Sequence, residues 1–62
     1  GFTFTQYLNH VRIKEAQKLL KNTEKKITDI ATQVGYESVV HFERVFKKYL
    51  KITPLKYRKK QI

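Results

Sequence analysis

Fourteen Lys and Arg against five Asp and Glu give this chain of 62 residues a formal net charge of +9, with no cysteine and two histidines. A chain so short forms one domain or part of one and buries only about 60% of its unfolded surface, which leaves little room for a catalytic cleft. Composition excludes disulfides and a four-ligand Cys/His zinc site. No apolar run reaches the ~20 residues needed to cross a bilayer. The charge favours a polyanionic partner: DNA, RNA or an anionic membrane.

In chain order, the pattern predicts a first helix over about Phe4 to Lys21. Thr3 is its N-cap and Gln6 completes a capping box, with Phe2 and Tyr7 at the spacing of a hydrophobic staple. At 100° per residue, Phe4, Tyr7, Leu8, Val11, Ile13, Ala16, Leu19 and Leu20 spread over more than half the circumference. An ordinary surface helix has a narrower stripe. The expectation is that this helix is covered from two sides, with the Ile13, Ala16 and Leu20 side lacking a partner inside this chain.

Asn22 to Lys25 is a polar connection. A second helix follows over roughly Lys26 to Val34, with Ile27, Ile30, Ala31 and Val34 on one face. Gly35 then supplies the left-handed position that ends it. Ser38 caps a third helix. Its core face is Phe42, Val45, Phe46, Tyr49 and Leu50, with Val39 at the edge. Val40, Arg44 and Lys47 occupy the opposite face, flanked by His41 and Lys48. In the last segment Thr53 caps and Pro54 takes the first helical position, where a missing N–H costs nothing. Ile52 and Tyr57 have staple spacing, and the helix is expected to fray over 59–62.

A helix with Ile30-Ala31, glycine four residues after the alanine, and then a capped amphipathic helix is a helix-turn-helix pattern. The small residue permits close crossing, the glycine makes the turn, and the free face of the second helix fits a major groove about 12 Å wide. The wider pattern is Tyr7-Leu8, Arg12-Ile13, Ala16, Leu19-Leu20, Thr23, Ile27, Asp29-Ile30-Ala31, Val34-Gly35-Tyr36, Ser38, Phe42, Arg44, Phe46-Lys47-Lys48, Thr53-Pro54 and Tyr57-Arg58. It resembles the AraC/XylS family of bacterial transcription regulators over nearly the whole chain. The resemblance implies two helix-turn-helix motifs joined by a long helix, each placing a recognition helix in successive major grooves, with an effector or response domain elsewhere. On that basis the chain is an all-α, small helical bundle. The expectation that follows is a linker helix over residues 1–22 and the second helix-turn-helix subdomain over residues 26–62, without the first motif or any sensor domain. Lys51 departs from the glycine the family commonly has there, which puts that turn's geometry in question.

The expected recognition helix is 39–50. Val40 suits a thymine methyl, His41 a base edge or phosphate, and Arg44 guanine O6/N7 or phosphate. The competing reading of Arg44 is an intrahelical pair with Glu37 or Glu43. Ser38, Lys47, Lys48, Lys56 and Arg58 are phosphate candidates. Arg12 lies beside the apolar face, where a lone charge is costly, and is expected to pair with Asp29. Tyr36, Phe42, Phe46 and Tyr57 are expected in the core. The function these residues point to is sequence-specific binding of double-stranded DNA. The alternative is a basic module for a protein or membrane surface. No cofactor, metal site, enzyme activity or signal peptide is expected, and a cytoplasmic location is. The unpartnered side of the linker helix predicts self-association of the fragment.

Overall fold

A computed structural model describes residues 3–60, which form four helices and no strand. They are α1 (Phe4–Asn22), α2 (Ile27–Gln33), α3 (Val39–Leu50) and α4 (Pro54–Lys60). The expected Phe2–Tyr7 staple and the end of the chain past Lys60 lie outside the described residues. Within them, α4 continues through Lys59 and Lys60 rather than fraying there.

Local chemistry sets each boundary. Thr3 Oγ1 accepts from the Gln6 N–H and Gln6 Oε1 accepts from the Thr3 N–H, both at 3.1 Å, which is the reciprocal capping box. Ser38 Oγ accepts from the His41 N–H at 3.2 Å, and Thr53 Oγ1 does the same for Lys56 at 3.2 Å. The end of α2 is a Schellman turn: the Tyr36 N–H reaches the Ala31 carbonyl at 2.9 Å and the Gly35 N–H reaches Thr32 at 3.1 Å. Gly35 sits there at φ 106°. Lys51 holds the equivalent left-handed position after α3, at φ 66° and ψ 6°. A lysine in this conformation bears a backbone cost of about 1–2 kcal/mol that glycine escapes.

At about 1.5 Å per residue, the 19 residues of α1 span about 28 Å. One face of α1 carries Ile13, Ala16 and Leu20, all buried. They join Ile30 and Ala31 of α2, Phe42, Val45 and Phe46 of α3, and the turn residues Val34 and Tyr36 in a single core. Ala16 and Ala31 are at most 1% exposed, and their small side chains allow the helices to approach closely. The expectation for α1 is therefore corrected. The Ile13–Ala16–Leu20 side is the one that α2, α3 and α4 cover. The apolar side left open is Phe4, Tyr7 and Val11, at 78%, 57% and 44% exposure. The two sides lie roughly 180° apart on the helix, so sequence spacing alone could not say which faced inward.

Tyr49 also departs from its expected place. It is 40% exposed and lines an open cleft of about 230 Å³ with His10, Ile13 and Gln17. The core face of α3 narrows to Phe42, Val45 and Phe46, with Val39, Leu50 and Tyr57 packed at its margin.

Candidate nucleic-acid interface

Helix α3 has two unlike sides. Phe42 and Phe46 are fully buried, with ring centroids 5.7 Å apart, and Phe46 meets Tyr57 edge-on at 5.6 Å. These contacts fix the rotation of α3 about its axis. That rotation puts Val40, Arg44, Lys47 and Lys48 in solvent. The neighbouring valines thus take different surroundings: Val39 packs against the core, whereas Val40 is 61% exposed. A large apolar side chain facing water among cations has no packing role within this domain.

Arg44 is exposed, and no ion pair joins it to Glu37 or Glu43 among the described residues. Its guanidinium fork has no acidic partner on its own helix. Lys47 and Lys48 stand in the last turn of α3, where a cation also complements the helix dipole. Lys56 is exposed in the first turn of α4, where the dipole gives a cation no such support. Ser38 is exposed and engaged as the N-cap. His41 is solvent-exposed, and its ring meets the edge of Tyr36, with centroids 5.3 Å apart and planes at 86°.

Arg58 is placed differently from the sequence expectation. Its Nε donates to the Leu20 carbonyl at 3.2 Å, Nη1 to Lys25 at 2.6 Å and Nη2 to Thr23 at 3.1 Å. Every nitrogen of the guanidinium is engaged in capping the end of α1 and the connection after it. The carbonyls there have no intrahelical N–H partner, and a cation suits that end of the dipole. Arg58 thus acts as a clamp within the fold, a role its sequence position did not suggest.

The expected pair of Arg12 and Asp29 does not form. Asp29 is exposed in the first turn of α2, where a carboxylate suits the dipole. Arg12 is half-buried and lies over the Tyr36 ring, with Cζ 5.4 Å from its centroid. It also covers the bare backbone of Gly35, where a Cβ would stand 3.0 Å from Arg12 Nε. A flat guanidinium on an aromatic face meets the need for compensation that a carboxylate was expected to meet. The Tyr36 hydroxyl donates to Asn9 Oδ1 at 2.8 Å, a contact sequence reasoning missed. The available signal was Asn9 and Arg12 three residues apart on α1, but nothing local connects them to Tyr36. Burial is the main influence raising the Tyr36 phenol above its ordinary value of 10.0, against the opposing effect of Arg12.

The described residues contain no group of three or more His, Cys, Asp or Glu side chains arranged to hold a metal ion. No helix among them is long and apolar enough to cross a membrane.

A family model described as a helix-turn-helix domain matches residues 1–60. An uncharacterized HTH-type transcriptional regulator of Haemophilus influenzae is 41% identical over 59 residues, which is 95% of this chain and 20% of that protein. The crystal structure of the C-terminal domain of the two-component response regulator yesN from Fusobacterium nucleatum superimposes with a TM-score of 0.91 at 48% identity, covering 94% of this chain and 56% of that one. The DNA-binding domain of AdpA, a global transcriptional factor solved in complex with a target DNA, gives a TM-score of 0.92 at 29% identity, covering 95% of this chain and 53% of that one. The chain thus spans about a fifth of the length of the Haemophilus regulator and about half of each solved domain. With the family model spanning nearly every residue and the solved folds superimposing on all four helices, this chain belongs to the helix-turn-helix domain family of the AraC/XylS regulators.

Proposed function

We propose that this chain is a DNA-reading part of a bacterial transcription regulator, with α3 lying in the major groove. The observation that carries this reading is the outward stripe of Val40, Arg44 and Lys47 opposite buried Phe42 and Phe46. Val40 meets a thymine methyl, and Arg44 forks onto guanine O6/N7. His41 meets a base edge or phosphate. Ser38, Lys47, Lys48 and Lys56 hold the flanking backbone as sequence-neutral contacts. The target DNA bound by the related AdpA domain supports the same partner here.

Residues 1–22 act as a linker helix and residues 26–62 as the second helix-turn-helix subdomain of a two-motif unit. The open Phe4–Tyr7–Val11 side of α1 is then where the first motif packs. In the fragment alone, the same side recruits another copy, because an exposed apolar patch favours association. An effector or response domain lies elsewhere in the full-length protein, which works in the cytoplasm with the chromosome.

A salt titration of duplex binding tests this reading. The three lysines at phosphates give a slope of about −2.7 in log K against log salt, at about −0.9 per phosphate neutralised. The isolated fragment, with a single recognition helix, binds weakly, at a Kd of about 10⁻⁴–10⁻⁶ M. Sedimentation equilibrium then shows it self-associating. Tight binding to one duplex by a strictly monomeric fragment overturns the two-motif reading. A flat salt dependence, or liposome binding with no preference for DNA, overturns the nucleic-acid reading.

A further inference from the structure

Tyr36 joins α1 to the first turn of α3 through a single buried ring, 4% exposed. From the α1 side, Asn9 Oδ1 accepts from its hydroxyl at 2.8 Å and Arg12 lies over its face, with Cζ 5.4 Å from the centroid. From the α3 side, His41 meets it edge-on at 5.3 Å and Phe42 packs tilted at 5.6 Å. His41 and Val40 belong to the first turn of the face assigned to base contact. The described residues offer Arg12 no hydrogen-bond acceptor, so its hold is a cation–π contact with Tyr36 and close packing over the backbone of Gly35. A side-chain carbon at Gly35 would stand 3.0 Å from Arg12 Nε, and φ 106° independently favours glycine there.

We infer that Asn9 and Arg12 are positioning residues for base recognition: they fix the Tyr36 ring, and the ring fixes His41 and the first turn of α3 against the DNA. The inference rests on the reading of α3 as the recognition helix. A side chain that must meet a base edge within hydrogen-bonding distance gains discrimination when its rotamer is set before binding. His41 has little else to set it, since its ring is exposed apart from the Tyr36 edge. A cleft of about 330 Å³ lined by Arg12, Gly35, Tyr36, Glu37 and His41 lies beside this contact, which leaves the imidazole free to swing if the ring moves.

Arg12→Lys separates this role from two others. It keeps the charge and most of the stem but removes the flat guanidinium. The test uses the full-length protein for DNA binding and the four-helix domain for nuclear magnetic resonance, with wild type, Arg12→Lys, Arg12→Ala and Asn9→Ala compared. We expect Arg12→Lys and Asn9→Ala to shift the His41 ring resonances and weaken the His41–Tyr36 cross-peaks in the free domain. Discrimination at the base pair under the first turn should fall about fivefold, which is about 1 kcal/mol at 1.4 kcal/mol per tenfold. Affinity for non-specific duplex and the salt slope should stay unchanged. Unmoved His41 resonances, or unchanged discrimination by a wild type that does discriminate, overturn the inference alone. A neutral Arg12→Lys beside an Arg12→Ala that lowers the salt slope by about one makes Arg12 a phosphate ligand and also overturns it. A parallel fall in specific and non-specific binding with melting temperature makes the contact plain packing. A wild type without any sequence discrimination removes the recognition reading itself.

Discussion

Replacing Arg58 by alanine removes a cap made of three hydrogen bonds, to the carbonyls of Leu20, Thr23 and Lys25. Bonds from a charged donor contribute about 1.5–3 kcal/mol each when well protected. The bond to Lys25 is exposed and counts for little; those to Leu20 and Thr23 are part-buried and belong at the low end. Adding a few tenths for the cation at the C-terminal end of α1 gives a loss of about 3 kcal/mol. A domain of this size has a total stability of only about 3–9 kcal/mol. At about 4–8 °C per kcal/mol, the melting temperature should fall by about 12–24 °C. Thermal unfolding followed by circular dichroism measures it. Arg58→Lys should recover less than half of the loss, because one ammonium cannot reach three divergent carbonyls. A fall of less than about 4 °C, together with a DNA salt slope reduced by about one, would show that Arg58 binds phosphate and that the clamp is incidental.

Gly35→Ala should destabilise by about 1–2 kcal/mol or more, since it combines the left-handed cost with a Cβ pressed onto Arg12 at 3.0 Å; urea unfolding reports it. Lys51→Gly should act in the opposite direction, by up to about 1 kcal/mol, because relief of the left-handed cost exceeds the entropy glycine adds to the unfolded chain. A loss of stability in that variant would show that the turn after α3 is not left-handed in solution. Burial raises the Tyr36 phenol above 10.0, so the unfolded chain loses that proton first as pH rises. The associated stability is complete below the unfolded value and lost as pH climbs through the folded one. Urea midpoints at about pH 9 and about pH 11 should therefore drop further in wild type than in Tyr36→Phe.

The elements were legible in the sequence because their signals are local. Thr3 with Gln6, Ser38, Thr53 with Pro54, and Gly35 each act within a few residues, and each stands at the helix end where its chemistry places it. The long-range partnerships were not legible. Arg58 and Leu20 are 38 residues apart, and Tyr36 and Asn9 are 27 apart. No spacing rule connects such pairs, so the sequence alone presents Arg58 as one more surface cation and pairs Arg12 with a carboxylate. The two apolar sides of α1 posed a different problem. Both satisfy helical periodicity, and only the packed positions of α2, α3 and α4 distinguish Ile13 from Val11. The outward face of α3 was readable because Phe42 and Phe46 fix its rotation strongly enough to leave Val40 a single direction.

DNA reading by that outward face of α3 is the central claim. The direct measurement is the base preference of the full-length protein on a randomised duplex library at fixed salt, comparing wild type, Arg44→Ala and Lys47→Ala. Arg44→Ala should lose about 1–3 kcal/mol and relax preference at one base pair, with the others retained. Lys47→Ala should weaken every sequence alike and lower the salt slope by about one. A preference profile that is the same in all three proteins would contradict the assignment of α3 as the recognition helix.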